Sequence, residues 1–319
     1  MKKGTSTTAV LALFMVLALF AGPARAYEIK WGTAPAGGLW QVLGSVMLED
    51  VLKRNPAIKG STVPVGGAAN VIGVTENKLN VGFSFSDVAH DAWQGKESFQ
   101  AKGQIRNIRA LAALFPEPTQ FAVFADSGIT QIAQLKGKKI TPGPKGSAVQ
   151  VVTRRILELY GITYKDVQAQ MVSFGEGAQL MIDNHIDAIL YGAMVLPTPG
   201  LVNVNSQRQI RLLPLSDKVI DKLVKTYKGL EPFTIPANTY KGVDYPVKGI
   251  ASLCIAIVRE DMPEDIAYSI TKSIAENFGR YQTTVKPMSM AKAEDMPKEA
   301  GIPFHPGALK YYKEKGWVK

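Results

Sequence analysis

The sequence predicts an α/β fold of two lobes, in which each lobe is a mostly parallel β-sheet flanked by helices. Three observations support this prediction. Strand-like apolar runs alternate with helix-like runs along most of the 319 residues. The order of strand, glycine-rich turn and helix occurs at 28–53 and again at 138–160. Finally, 46% of the residues are hydrophobic, which is enough to fill two cores.

The N-terminal part contains three strand-to-helix units. The predicted strands are 28–32, 61–64 and 81–85, and the helices that follow them are 39–53, 66–77 and 88–94. Ser86 and Asp87 come directly before the third helix and are typical of a helix N-cap. Two further apolar strands, 108–115 and 120–124, are joined through Pro116-Glu117-Pro118.

The same alternation continues in the rest of the chain. The predicted elements are strands 138–141, 168–172, one ending at Tyr191, 211–215 and 251–258, and helices 147–160, 176–184, 263–278 and 307–315. From this order we expect a first lobe at 27–118, a second lobe at 119–212 and a return to the first lobe at 213–319. The chain is expected to cross near 116–120 and 212–214.

The first 26 residues have the pattern of a secretory signal peptide. Lys2 and Lys3 precede an apolar stretch, and Ala24-Arg25-Ala26 is a small-x-small cleavage site. We therefore expect cleavage after Ala26 and export to the periplasm. The net charge of +10 comes from scattered lysines and arginines without a dense basic block, which favours attraction of small anions over nucleic-acid binding.

No residue pattern indicates catalysis, a metal or a cofactor. The three histidines, His90, His185 and His305, are far apart and have no neighbouring ligand at metal-binding spacing. No Gly-x-Ser-x-Gly motif is present, and Cys254 lies inside an apolar run, where a buried inert thiol is expected. We expect a protein that is not an enzyme.

The two glycine-rich turns indicate an anion-binding site instead. Each turn brings backbone N–H groups and a helix N-terminus to the carboxyl end of a strand, where ligands of open α/β sheets lie. The predicted ligand-binding residues in these and the related turns are Thr33, Gly38, Trp40, Ser86, Asp87, Gly146, Ser147 and Phe174. Helix capping by Ser86, Asp87 and Ser147, and a core position for Trp40, are the open alternatives.

Five segments resemble the solute receptors of TRAP transporters of the TAXI class. They are VGFSFSDVAHDA at 81–92, IRALAALFPE at 108–117, ADSGI at 125–129 with LKGK at 135–138, GPKGS at 143–147 and HPGALKYY at 305–312. They occur in the family's order along nearly the whole chain after the signal peptide. The first turn departs from the family pattern: Ala34-Pro35-Ala36 intrudes, and Trp40 replaces a tyrosine.

The resemblance implies a two-lobed periplasmic binding protein, type II-like, whose lobes are joined by crossing hinge strands. It further implies delivery of a small organic anion to TRAP permease subunits. We expect the protein to be a monomer. Glutamate and 2-oxoglutarate are family ligands, but Trp40, Phe85 and 148–150 are bulkier or more apolar than the family pattern and favour a more apolar carboxylate. Gln120 and Tyr191 are added as ligand-binding residues by the resemblance alone.

Two other classes stay open from the residues. One is a receptor for an ATP-driven importer or a sensor kinase, and the other is a secreted enzyme on the same fold.

Overall fold

The computed structural model describes residues 27–34 and 38–319. The predicted signal peptide with its cleavage after Ala26, and residues 35–37 of the first glycine-rich turn, lie outside the described residues.

The chain forms two β-sheets. The strands of the first are β1 (Tyr27–Gly32), β2 (Ile58–Val63), β3 (Val81–Phe85), β4 (Ile108–Pro118), β10 (Leu230–Ile235) and β11 (Val247–Arg259). Their order is β10-β11-β3-β1-β2, and β4 also pairs with β11. The strands of the second sheet are β5 (Gln120–Phe124), β6 (Lys139–Thr141), β7 (Gln168–Ala169), β8 (Ala188–Tyr191) and β9 (Ile210–Leu212). Their order is β7-β6-β8-β5-β9.

Both sheets are mixed, whereas the sequence predicted mostly parallel sheets. Strands that are linked by helices, such as β1, β2 and β3, pair in parallel. The strands that connect the two lobes pair antiparallel: β4 and β10 with β11, and β5 with β8 and β9. Parallel neighbours need a crossover connection, and a strand arriving from the other lobe has no such constraint. The alternating pattern therefore predicted most of these strands but not their antiparallel direction, and it missed β10.

Ten α-helices are described. They are α1 (Leu39–Arg54), α2 (Gly67–Thr75), α3 (Ser86–Gln94), α4 (Ala148–Leu159), α5 (Phe174–Ile182), α6 (Pro199–Gln207), α7 (Asp217–Thr226), α8 (Glu264–Glu276), α9 (Phe278–Thr284) and α10 (Pro306–Glu314). The sequence did not predict α6, α7, α9 or β10. Helix α3 begins at Ser86 with Phe85 as its N-cap residue and no side-chain cap, so the Ser86-Asp87 cap prediction was wrong.

The hydrophobic cores show where the chain crosses between lobes. Val219, Ile220 and Leu223 of α7 pack with Phe121 of β5 in the core of the second lobe. The chain therefore returns to the first sheet after α7, and not at 212–214. Strand β11 runs through both lobes, since Ile250 packs in a core of the second lobe and residues farther along the strand pack in the first. Strands β4, β10 and β11 form the hinge.

Among the described helices, none has the length and apolar composition that crossing a bilayer requires.

Candidate functional site

A cavity of about 470 Å³ lies between the two lobes. The first lobe contributes residues from α1, α2, α3 and the turn after α3, together with Glu117 of β4, and the second contributes the N-terminal turns of α4 and α5 and the segment after β8. The residues that line it are Ala34, Leu39, Trp40, Val65, Gly66, Gly67, Ala68, Phe85, Asp87, Val88, Asp91, Glu97, Ser98, Phe99, Glu117, Gly146, Ser147, Ala148, Val149, Val151, Phe174, Met194 and Val195.

Five helices, α1 to α5, place their N-terminal turns on this wall. The N-terminus of a helix carries a partial positive charge, and its first N–H groups have no acceptor within the helix. Asp87 already sits in the first turn of α3. The other four N-termini present partial positive charges to the cavity, and no lysine, arginine or histidine stands among the described lining residues.

Helices α2 and α4 present the most open amides. At α4, the Ser147 hydroxyl accepts the N–H of Gln150 at 3.2 Å, which leaves the amides of Ala148 and Val149 at the wall. At α2, the N-cap residue is Gly66 at φ 96°, a conformation that side chains disfavour, and it supplies no side-chain cap. The amides of Gly67 and Ala68 are therefore available to a ligand.

The remaining wall is largely apolar and aromatic. The Trp40 ring packs against Phe83 and Phe85, with centroid distances of 6.0 and 4.9 Å. On the facing lobe, Phe174 stacks edge-on against Tyr191 at 5.1 Å. Rings held in this way make a preformed apolar surface for the body of a ligand.

Four carboxyl groups also stand on the wall, and three of them pair with arginines of α4. Arg155 is 1% exposed and reaches Asp87 at 3.2 Å and Asp91 at 2.6 Å. Its neighbour Arg154 pairs with Glu97 at 2.6 Å. Burial raises the pKa of Asp91 to about 6 in spite of the charge of Arg155. These ion pairs join the two lobes along one edge of the cavity.

The fourth carboxyl group, Glu117, has no basic partner among the described residues. It is 5% exposed, and its Oε1 accepts the indole N–H of Trp40 at 3.2 Å. Burial raises the pKa of Glu117 to about 7, and the Trp40 hydrogen bond only partly opposes this shift.

Five of the ten predicted ligand-binding residues lie on the cavity wall: Trp40, Asp87, Gly146, Ser147 and Phe174. They come from both lobes. Trp40 of α1 and Asp87 of α3 line the cavity from the first lobe, and the other three residues line it from the second.

Five predicted residues lie off the wall, three of them in the first lobe. The Thr33 hydroxyl is fully buried and donates to the carbonyl of Val63 at 3.3 Å. Gly38 is the N-cap residue of α1. The Ser86 hydroxyl donates to the carbonyl of Gly229 and accepts the N–H of Leu253 at 2.8 Å, so it ties α3 to the hinge.

Gln120 and Tyr191 of the second lobe also lie behind the wall. Gln120 donates to the carbonyls of Met194 and Val195, both at 3.0 Å, and accepts from Thr198 and Tyr240. Tyr191 donates to the carbonyl of Phe174 at 3.3 Å. Since these polar groups are satisfied inside the protein, both residues support residues that line the cavity.

Sequence reasoning missed three features of the site. Glu117 was taken for part of a connection because prolines flank it. It is the single acid within the apolar run 108–124, and this isolation could have indicated a functional residue. Gly66 and Gly67 repeat the order of strand, glycines and helix seen at the two recognised turns. The pairing of Arg155 with Asp87 and Asp91 spans more than sixty residues of chain and has no local signal.

Within the described part of the chain, no cluster of three or more His, Cys, Asp or Glu side chains is arranged to hold a metal ion.

Two serines cap the helices that the second lobe directs toward the cavity. Ser147 and Ser173 cap α4 and α5 in the same way, by accepting N3 amides at 3.2 and 3.3 Å, but only Ser147 lines the cavity. We expect Ser147→Ala and Ser173→Ala each to lower the free energy of unfolding by about 1 kcal/mol. Urea denaturation checks this, and a cost near zero for both would contradict the capping roles.

Comparison with known proteins identifies the family. Residues 31–316 match the NMT1-like family, and the chain belongs to it. The fold is similar to that of the putative sulfonate ABC transporter, periplasmic sulfonate-binding protein SsuA from Methylobacillus flagellatus KT, with a TM-score of 0.51, 14% identity, and coverage of 92% of this chain and 88% of that one.

A second solved structure has the same fold. XAC2383 from Xanthomonas citri, bound to ATP, matches with a TM-score of 0.52 and 11% identity over 90% of this chain and 94% of that one. The predicted fold of a two-lobed periplasmic binding protein is therefore confirmed. Neither the family nor these structures names the TAXI class, which stays a prediction.

Proposed function

We propose that this protein is an extracytoplasmic solute receptor that binds a small, largely apolar organic anion between its lobes and delivers it to a membrane permease. The observation that carries the proposal is the cavity of about 470 Å³, which has the size of a small-molecule site and is lined by both lobes of a binding-protein fold. The signal-peptide pattern of residues 1–26 supports a periplasmic location.

The anionic head group is supported by backbone chemistry. The amides of Gly67 and Ala68 in α2 and of Ala148 and Val149 in α4 belong to N-terminal turns on the cavity wall. Aligned amides at helix N-termini bind carboxylates and sulfonates without a basic side chain.

A single head group and an apolar body fit the rest of the wall. Trp40 and Phe174 stand on opposite lobes, and the polar side chains of the wall are mainly acids. A second carboxylate, as in glutamate or 2-oxoglutarate, would approach these acids or the aromatic rings at an unfavourable energy. We therefore favour monocarboxylates or sulfonates.

Binding is expected to be governed by lobe closure. Both lobes contribute to the wall, so a solute that contacts both stabilises the closed arrangement over an open one. The proposal assigns no chemical step to the site.

The head-group proposal is tested with four hexyl probes: hexanoate, hexanesulfonate, hexanol and hexylamine. We expect the two anions to raise the melting temperature, with hexanol weaker and hexylamine without effect. Ser147→Ala should weaken hexanoate binding in titration calorimetry, and Ser173→Ala should leave the affinity unchanged. Stabilisation by hexylamine alone, or by none of the four, would refute an anion receptor of this kind.

The transport partner is proposed from the five segments that resemble TAXI-class receptors, which favour TRAP permease subunits. The sulfonate-binding protein of similar fold belongs to an ABC transporter by its description, so an ATP-driven importer is the alternative. Reconstitution of the receptor with candidate TRAP and ABC permeases decides between them. Uptake that proceeds without ATP supports the TRAP assignment, and strict ATP dependence overturns it.

A further inference from the structure

Glu117 occupies a distinctive position on the cavity wall. It lies near the end of β4, where the hinge begins, and pairs with Ser252 of β11 in the antiparallel register. Its Oε1 accepts the N–H of Trp40, and its Oε2 has no hydrogen-bond partner among the described residues. A buried carboxyl group with one unused oxygen at the edge of a ligand-sized cavity is available to bind the ligand.

The surroundings of Glu117 determine which ligand groups it accepts. On β11, the buried thiol of Cys254 is uncharged, since burial raises its pKa well above the usual value. The acids on and after α3 that share the wall, Asp87, Asp91 and Glu97, pair with arginines of α4. The facing segment of the second lobe, Met194 and Val195, carries no charge. No cation among the described residues therefore balances a charge on Glu117.

A carboxyl group in such surroundings is easily protonated. Burial raises the pKa of Glu117 to about 7, so the empty protein carries a mixture of both forms near neutral pH. An anionic head group within the same cavity disfavours a second negative charge, whereas it accepts a hydrogen bond from a neutral carboxyl group. The pair then holds one proton between two acidic groups.

We propose that Glu117 donates a hydrogen bond to the anionic head group of the solute, and that solute binding takes up one proton at this side chain. This inference rests on the proposed function and identifies the side chain that selects the head group. In the bound state, the O–H of Glu117 points to the anion, and Trp40 continues to hold the other carboxyl oxygen.

The proton uptake predicts a pH-dependent affinity. Hexanesulfonate is a suitable probe because it stays ionised at every pH used. Above about pH 7 the empty protein must gain a proton to bind, so the affinity falls up to tenfold for each unit of pH. Calorimetry in buffers of different ionisation enthalpy should show the uptake of one proton at about pH 8.

Two variants make the test specific. Glu117→Gln keeps a donor at the same place without titrating, and its affinity for hexanesulfonate should no longer fall as the pH rises above about 7. The control is Glu231, a half-buried acid that lies off the cavity wall and whose pKa is also raised by burial. Glu231→Gln should retain the pH-dependent affinity of the wild type.

A ligand-free readout accompanies the titration. The indole proton of Trp40 should change its NMR chemical shift with a midpoint near pH 7, because the carboxyl group that it contacts titrates there. This step should be absent in Glu117→Gln, and Trp40→Phe assigns the signal.

The outcomes separate the two proposals. Hexanesulfonate binding without proton uptake at about pH 8, or with a fall in affinity above about pH 7 that survives in Glu117→Gln, overturns the role of Glu117 and leaves the receptor proposal standing. A wild-type protein that binds hexylamine with release of a proton makes Glu117 the counter-ion of a cation and overturns both. Absence of binding by all four hexyl probes also overturns both.

Discussion

Replacing Arg155 by methionine is expected to destabilise the protein by about 3–5 kcal/mol. The guanidinium is 1% exposed, pairs with Asp87 and Asp91, and lies 4.3 Å from the centre of the Tyr227 ring. Methionine fills a similar volume but leaves the two buried carboxylates without a cation, and an unpaired buried charge is costly. Urea denaturation followed by circular dichroism measures the loss.

The adjacent arginine of α4 supplies the control. Arg154 also pairs with acids, Glu97 and Glu158, but its side chain is 31% exposed. Arg154→Met should cost no more than about 1 kcal/mol, because water replaces the partner of an exposed charge. Equal losses in the two variants would show that the contacts of Arg155 have no special weight.

The same substitution should change the shape of the protein in solution. Asp87 and Asp91 belong to the first lobe and Arg155 to the second, so their pairing holds the lobes together. Arg155→Met should therefore increase the radius of gyration measured by small-angle X-ray scattering without ligand. A destabilised variant with an unchanged radius would indicate that contacts at the hinge alone keep the lobes closed.

The stability of the ligand-free protein is expected to depend on pH through Glu117. Burial raises the pKa of this group from 4.5 to about 7, so between these values the folded protein binds the proton more tightly than the unfolded chain does. The stability that Glu117 contributes is complete below the lower value and is lost as the pH rises through the upper one. The loss approaches about 3 kcal/mol.

Comparison with Glu117→Gln isolates this effect, because the other titrating groups are common to both proteins. Relative to the wild type, the variant should gain stability as the pH rises, and the gain should level off once Glu117 is ionised. A difference in the free energy of unfolding that stays constant over this range would contradict a buried, unpaired carboxyl group at this position.

The sequence predicted the elements whose pattern is local. Strand β3 was predicted with its observed bounds, and α1 and α4 to within one residue at either end. Their apolar residues and the glycines beside them lie within one continuous stretch of sequence. In contrast, α7 was not predicted, although Val219, Ile220 and Leu223 have helical spacing. Its membership of the second lobe depends on packing against β5, which the order of elements does not reveal.

The candidate site follows the same division. Positions at the start of helices, such as Ser147 and Phe174, were predicted because a turn between strand and helix is visible in the sequence. Ser86 looks equally suitable by that criterion, but its hydroxyl is used by Gly229, more than a hundred residues away. A local pattern can place a hydroxyl group at the end of a strand, whereas the direction in which it points depends on residues distant in the chain.

The buried ion pairs of Arg155 also bear on how long a solute stays in the cavity. Parting the lobes exposes Arg155, Asp87 and Asp91 and breaks their contacts. For the proposed solute, this separation of charges adds to the barrier of any dissociation route that requires the lobes to open.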